Sequence, residues 1–305
     1  MILAVCPNPS VDTLVHFDGF NPGSTNRIRK EDRFPGGKGV HVALAAAELG
    51  AETRLLGIWA GPSGEWIQRK CEERGVACRG VEVEGWTRSC ITFRSGDEFD
   101  NSELLAPGPA ITRADFDRFA DSVLGYAKRA SCAVISGSWP PGAADTDTAS
   151  LARALHDAGV PVFLDGSGEA FSSALGEAPF LAHVNLEECR TVVGRECSPV
   201  DGARTLADRC GTAVVTAGAA GAWVASDGFL AHLRCPVRPT ASPVGSGDCL
   251  VGGMAAGHDK GMSLLEMARL GVACGAANCL RPEIGMFHRA DVERLATLIE
   301  EEILS

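Results

Sequence analysis

The residues most suited to chemistry are Gly245-Ser246-Gly247-Asp248, which open an apolar, small-residue stretch predicted to be a helix to about Gly257. Glycine adopts backbone conformations closed to other residues, so successive amides here can converge on one point. At a helix N-terminus, such amides and the helix dipole attract an anion. Asp248 beside them can accept a proton from a hydroxyl group. The segment therefore predicts phosphoryl transfer, with a base for the acceptor alcohol and a cradle for phosphate charge.

For a bare Gly-x-Gly-Asp, an aspartate that merely caps a helix is the simpler interpretation, and the wider context decides against it. Ser242 to Gly253 resembles the C-terminal signature of the PfkB (ribokinase-like) carbohydrate kinases. Four further motifs resemble that family in the same order, and together they cover essentially the whole chain: Asn8–Asp12, Pro35–Gly39, Ala106–Pro109 and Ser136–Gly142. The last two are similar to the branch that contains 1-phosphofructokinase and tagatose-6-phosphate kinase.

The resemblance implies a role for individual residues. Asp248 would be the catalytic base, and the backbone of Gly245, Ser246 and Gly247 would be the anion hole. The positions that match sugar contacts are Asp12, Gly36, Gly37, Lys38, His41, Arg88 and Ser138. Those that match nucleotide contacts are Thr216, Gly218, Gly221 and Asn278. Asn185 and Glu188 fit a pattern associated with Mg²⁺ and phosphate, and Glu188 would act on the metal through water.

His41 departs from the family, which usually has asparagine there in contact with a sugar hydroxyl. An imidazole offers different geometry and can carry charge, so the exact sugar stays open. A satisfied structural histidine is the alternative. A solvated strand arginine is likewise the alternative for Arg88, and core packing is the simpler interpretation of the residues around Asn278.

The function implied is that of an ATP-dependent kinase that converts fructose 1-phosphate to fructose 1,6-bisphosphate. Alternatives on the same fold are tagatose 6-phosphate, fructose 6-phosphate, or an unphosphorylated sugar or cyclitol as acceptor. A sugar-responsive regulatory protein on a kinase-like scaffold is a third hypothesis, but it would typically lack the base or the anion loop. A Rossmann dehydrogenase is excluded, because the turn after the first strand reads Cys6-Pro7-Asn8-Pro9-Ser10 and not G-x-G-x-x-G.

The elements that position these residues follow from short apolar runs that alternate with segments of helical period. Ala133–Ile135, Val160–Leu164 and Ala213–Val215 predict strands, and Ala149–Ala158 and Val200–Cys210 predict helices. Such alternation is typical of a parallel sheet covered on both faces, with ligands at the carboxyl ends of its strands. The family resemblance implies the same class, a ribokinase-like three-layer α/β/α fold with a central, mainly parallel sheet and a small β-lid.

Two polar segments, from about 11–34 and 86–104, interrupt the alternation and lack helical periodicity. We expect short antiparallel strands there, inserted as a lid into one domain that spans 1–305; an ordinary surface hairpin is the alternative. Exposed lid strands could pair two copies into a homodimer. Residues 21–40 carry a net charge of +3 in an acidic chain, which predicts either attraction of an anionic sugar or a protected edge strand.

Composition sets the wider limits. The 305 residues carry a formal charge of −11, which argues against nucleic acid or an anionic membrane as partner. The apolar start is broken at once by Cys6-Pro7, so we expect no signal peptide, and the 12 cysteines predict buried thiols in a cytoplasmic protein. The expected ligands are a sugar phosphate and ATP with Mg²⁺, and a monovalent cation is a further candidate cofactor.

Overall fold

A ten-stranded sheet forms the centre of the computed structural model, which describes residues 1–194, 196–238 and 240–304. Its strands lie in the order β14-β13-β12-β11-β10-β9-β8-β1-β4-β5. The seven strands from β11 to β5 run parallel, and β12, β13 and β14 are added antiparallel. The strands are β1 (Ile2–Cys6), β4 (Thr53–Ala60), β5 (Ala77–Val83), β8 (Cys132–Ser136), β9 (Val162–Asp165), β10 (Leu181–Asn185), β11 (Thr212–Thr216), β12 (Ala222–Ser226), β13 (Phe229–Arg234) and β14 (Glu300–Ile303).

Helices cover both faces of this sheet, which confirms the predicted three-layer α/β/α class. The strand β1 is buried on both sides: Ile2 and Ala4 belong to one apolar core, and Leu3 and Val5 to the other. The helices against the first core are α1 (Lys38–Glu48), α2 (Gly61–Glu72), α8 (Ser246–Asp259), α9 (Leu264–Asn278) and α10 (Arg289–Ala296). Those against the second are α3 (Arg113–Leu124), α4 (Asp147–Asp157), α5 (Gly168–Ala174), α6 (Leu186–Val193) and α7 (Pro199–Ala207).

A separate four-stranded sheet, the lid, has the order β3-β2-β6-β7. Its strands are β2 (Ser10–His16), β3 (Lys30–Gly36), β6 (Arg88–Arg94) and β7 (Glu103–Leu105). The lid is not wholly antiparallel as predicted, because the central strands β2 and β6 pair in parallel. Parallel strands cannot be joined by a tight turn, and here the chain from β3 to β5 lies between them.

The basic stretch at 21–40 is mostly neutralised within the lid. Arg29 pairs with Asp18, Lys30 lies 2.6 Å from Asp32, and Arg33 pairs with Glu31, two residues earlier on the same strand. These exposed charges fit the protected-edge interpretation. Lys38 is different, since it lies outside the lid sheet at the start of α1.

The remaining global expectations concern cysteines and membranes. All twelve cysteines are free thiols in the structure, and nine of them are buried. This agrees with the prediction of buried thiols for nine of the twelve. Over the described ranges of the chain, no helix has the length and apolar character needed to span a bilayer.

Candidate active site

A cleft of about 870 Å³ lies between the carboxyl ends of the parallel strands and the lid. Most residues singled out from the sequence line it: Asp12, Gly37, Lys38, His41, Arg88, Ser138, Asn185, Glu188, Thr216, Gly218, Gly245, Ser246, Gly247 and Asp248. The topology therefore brings together side chains that are more than 200 residues apart in sequence. Gly36, Gly221 and Asn278 are not among the lining residues.

The glycine segment starts α8 as expected. Gly245 is the residue before the first turn and adopts the left-handed conformation, with φ of 80°. The amide of Ser246 donates to the carbonyl of Pro243. In any α-helix the amides of the first turn have no acceptor within the helix, so they can donate to a ligand. Small residues at 245 and 247 leave this helix end open toward the cleft, as an anion site requires.

Asp248 lies in the first turn of α8, 7% exposed, at the cleft wall. Its Oδ2 is 2.7 Å from Nδ1 of His41, and Nε2 of His41 lies 3.3 Å from Oδ2 of Asp12. Burial lowers the pKa of His41, but the interactions with Asp12 and Asp248 outweigh it and raise the pKa to about 10. This position between two carboxylates favours the protonated imidazole.

Lys38 contributes a second, half-buried charge to the site. Its Nζ lies 3.3 Å from Oε1 of Glu188 and 3.9 Å from Oδ1 of Asp165. The charge of Asp165, followed by those of Asp248 and Glu188, raises the pKa of Lys38 above its ordinary value. Lys38 is thus a permanent cation placed between the base and the acidic end of the cleft.

Asp165 and His183 were missed by the sequence reasoning. Oδ1 of Asp165 is 2.7 Å from Nδ1 of His183, its Oδ2 accepts from Ser136, and Nε2 of His183 is 3.2 Å from Oγ1 of Thr216. Burial opposes ionisation of Asp165, yet Lys38 and His183 hold its pKa well below the usual range. Asp165 directly follows the predicted strand Val160–Leu164 and precedes a glycine, so the rule that ligands meet strand ends could have identified it.

Glu103 is a third functional candidate that the sequence did not single out. It lies on β7 of the lid and lines the cleft, and partial burial and then the charge of Asp12 raise its pKa. Its segment carried no motif. Only the lid pairing brings it opposite the floor of the cleft.

The guanidinium of Arg88 forms hydrogen bonds mainly with backbone carbonyl groups of two loops. Its Nε and Nη2 donate to the carbonyl of Asn8, and Nη1 donates to the carbonyl of Ala106. The side chain is half-buried and lines the cleft, so the solvated-strand alternative does not apply. Its remaining N–H groups are available to an anionic ligand.

Three predicted contacts take supporting positions instead. A Cβ at Gly36 would lie 2.0 Å from Cγ of Asp12, so this glycine makes room for the aspartate. Gly221, at φ of 101°, packs against the carbonyl of Leu233, as a turn glycine does. Asn278 is fully buried and donates to the Val244 carbonyl while accepting from the Met286 amide. It therefore supports the anion loop and does not reach the cleft.

Asn185 and Glu188 are the candidate Mg²⁺ residues, and both lie at the start of α6. The Asn185 side chain accepts from the Glu188 amide, and Oε2 of Glu188 accepts from the Asn185 amide, so the pair caps α6. Oε1 of Glu188 still faces the cleft beside Lys38. No group of three acidic, histidine or cysteine ligands occurs within the described part of the chain. One carboxylate that acts through water suits Mg²⁺, which is usually held by few protein ligands and substrate phosphates.

Comparison with known proteins is consistent with this geometry. Residues 8–286 match the model of the pfkB family carbohydrate kinases. A 1-phosphofructokinase of Bacillus subtilis is 30% identical over 290 residues, covering 93% of this chain and 94% of the relative. An ATP-dependent 6-phosphofructokinase isozyme 2 of Mycobacterium tuberculosis is 30% identical over 307 residues, with coverage of 98% and 90%. The crystal structure of a possible 1-phosphofructokinase from Thermotoga maritima superimposes with a TM-score of 0.90 at 26% identity and covers 100% of both chains.

Proposed function

The chain belongs to the pfkB family of carbohydrate kinases, and we propose that within it the protein phosphorylates fructose 1-phosphate to fructose 1,6-bisphosphate. Family membership makes it a carbohydrate kinase, and the phosphofructokinases among its relatives support ATP as donor and a sugar phosphate as acceptor. The observation that carries the proposed chemistry is Asp248, set in the open first turn of α8 at the wall of the cleft. Similarity to a 1-phosphofructokinase over nearly the whole chain supports the choice of acceptor.

In the proposed step, Asp248 takes the proton of the primary hydroxyl that is to be phosphorylated. The hydroxyl oxygen bonds to the γ-phosphorus of ATP, and the bond from that phosphorus to the β–γ bridging oxygen breaks, which releases ADP. Oδ2 of Asp248 already faces His41, which leaves Oδ1 for the substrate proton. The amides at the start of α8 stabilise charge on the transferred phosphoryl oxygens.

Charge on the phosphates needs further neutralisation, since the protein is acidic overall. Lys38 lies beside Asp248 and Glu188 and is placed to pair with phosphoryl oxygens. Arg88 and Ser138, which also line the cleft, would hold the phosphate that the acceptor already carries. Glu188 would hold Mg²⁺ through water, and the metal when bound offsets charge on the nucleotide phosphates. Thr216 and Gly218 at the end of β11 would contact the nucleotide.

The lid is proposed to close the site against water, because an open site would let ATP hydrolyse. We also propose that two lids pair in a homodimer. Leu104 and Leu105 of the short strand β7 are 55% and 63% exposed, and Ile28 near the opposite edge is 51% exposed. Apolar side chains on a small, two-sided sheet favour contact with another copy.

The test is an ADP-release assay over matched acceptors at equal concentration: fructose 1-phosphate, fructose 6-phosphate, tagatose 6-phosphate, and unphosphorylated fructose and inositol. We expect the highest kcat/KM with fructose 1-phosphate, and phosphorus NMR of the product should show fructose 1,6-bisphosphate. Saturation only by the unphosphorylated compounds would overturn the proposed acceptor. Exchanging potassium for tetramethylammonium in the same assay tests a monovalent-cation requirement.

A second function, ligand sensing without catalysis, is addressed by the same panel. Binding of a sugar phosphate without ADP release for any acceptor would favour it. We expect turnover, because the anion loop and Asp248 are both present in open geometry.

A further inference from the structure

The ring of His41 is held between two carboxylates that approach from different elements. Nδ1 faces Asp248 of α8 at 2.7 Å, Nε2 faces Asp12 of β2 at 3.3 Å, and the side chain is 3% exposed. A neutral imidazole has one N–H and one lone pair, so only the protonated ring can present a donor to both acids. The geometry is therefore that of an imidazolium bridge.

The position of the ring is fixed from behind by glycine. A Cβ on Gly285 would lie 2.1 Å from Cγ and Cδ2 of His41, and one on Gly245 would lie 3.4 Å from Nδ1. On the far side, Oδ1 of Asp12 accepts a hydrogen bond from Ser10 Oγ at 2.6 Å. Backbone and hydroxyl contacts thus leave the bridge a single arrangement.

Charged groups on two of the elements that pack around the bridge, α1 and the lid, also act on it. Lys38 lies one turn earlier on α1, and its charge interacts with Asp248. Glu103 of the lid brings a negative charge that interacts with Asp12 and Asp248. Gly285 and Gly245 bring no charge. The negative charges of Asp12, Asp248 and Glu103 favour the protonated ring. The positive charge of Lys38 opposes it, but Lys38 does not contact the ring.

We propose that His41 is a positioning residue: as a cation it holds the carboxylate of Asp12 close to that of Asp248. The inference rests on the proposed function, in which Asp12 grips the sugar and Asp248 receives the hydroxyl proton. Nδ1 of His41 is hydrogen-bonded to Asp248, and Nε2 lies within ion-pair distance of Asp12, at 3.3 Å, without a hydrogen bond. The bridge sets the distance between Asp12, which contacts the sugar, and Asp248, which is the base.

A second consequence concerns the orientation of the base. Replacing His41 by a neutral residue removes the ion pair that holds the carboxylate of Asp248. A misplaced base slows the chemical step more than it weakens substrate binding, so kcat should fall more than KM rises.

The direct test follows the ring nitrogens by ¹⁵N NMR in the wild-type protein from pH 6 to 9. The signal is assigned by its loss in His41→Gln, and His41→Asn serves if the first variant does not fold. We expect the assigned ring to stay protonated over the whole range. A midpoint near 6.5, the ordinary histidine value, would overturn the bridge.

The kinetic test compares kcat and KM of His41→Gln and His41→Asn with those of the wild type. We expect kcat to fall about tenfold or more in both variants, with a smaller change in KM. The control, His156→Asn, changes an exposed histidine in the last turn of α4 and should leave both constants unchanged. An unchanged kcat in both His41 variants would refute the positioning role. Full activity of Asp248→Asn would instead refute the base, whatever the NMR titration gave.

Discussion

At the scale of single residues, Gly245 is the position whose backbone most restricts the site. Its φ of 80° suits glycine, and a Cβ there would lie 2.6 Å from Cα of Gly285. We expect Gly245→Ala to lose most activity and to destabilise the protein by more than the ~1–2 kcal/mol that left-handed strain alone costs.

The matched control is Gly261→Ala, just beyond the other end of α8. Gly261 has a similar φ of 71°, but a Cβ there meets nothing within 4 Å. It should show only the strain cost, measured by urea unfolding, with kcat unchanged. Equal losses of stability and activity in both variants would refute a specific role for the Gly245 turn.

The residues that sequence predicted best are those whose function needs a local backbone shape. Gly245 to Asp248 form such a motif, and the structure places all four at the cleft. Asp165 and His183 act through partners on other strands, and a single sequence does not say which strands are neighbours. Asn278 shows the opposite error: its amide supports the Val244 turn from the core and does not reach the cleft.

At the scale of elements, the adjacent ends of β9 and β10 are joined by Asp165 and His183. Because its pKa is depressed, Asp165 contributes stability that is present above about pH 4 and is lost as the pH falls. We expect Asp165→Asn to cost about 3–5 kcal/mol of unfolding free energy at pH 7, since it leaves Lys38 and His183 without their acid.

The difference from wild type should shrink as the pH is lowered below 4, measured by urea unfolding at each pH. Asp117→Asn is the control, because its pair with Arg113 is exposed and should cost less than about 1 kcal/mol. A constant difference at every pH would contradict the ionic explanation.

The lid carries the prediction of a dimer. Leu105→Glu places a charge on the exposed edge strand and should convert a dimer to monomers, as measured by light scattering during size exclusion. Leu298→Glu changes a leucine that is 46% exposed but lies beside β14, far from the lid in the fold, and should leave the mass unchanged. A wild-type protein that is monomeric at micromolar concentration would contradict the pairing.

The sequence identified both lid segments but not the way they pair. Polar, alternating stretches indicated strands at β2, β3, β6 and β7. The parallel register of β2 with β6 joins residues about 78 positions apart, such as Ser10 and Arg88, and local pattern contains no information on that pairing. The antiparallel hairpin of β12 and β13 was also missed, although its two-residue turn Asp227-Gly228 is a local signal for such a hairpin.

At the scale of the whole molecule, the charge of −11 opposes the approach of both anionic substrates. Binding therefore depends on local cations, Lys38, His41 and Arg88, within a cleft that also carries several acids. Screening of the long-range repulsion should raise kcat/KM for a sugar phosphate modestly between about 10 and 150 mM ionic strength.

That rise is measured with tetramethylammonium chloride, so that a specific effect of potassium does not intervene. A fall in kcat/KM with added salt would show that attraction by local basic charge dominates encounter. Unphosphorylated fructose as acceptor serves as the uncharged comparison.

The central claim is that Asp248 is the base of a phosphoryl transfer in the first turn of α8. Its most direct test is the rate of ADP formation by Asp248→Asn with the best acceptor from the panel. We expect kcat to fall by a factor of about 10²–10⁴ while the fold, followed by circular dichroism, is retained. A rate close to that of the wild-type protein would contradict the account.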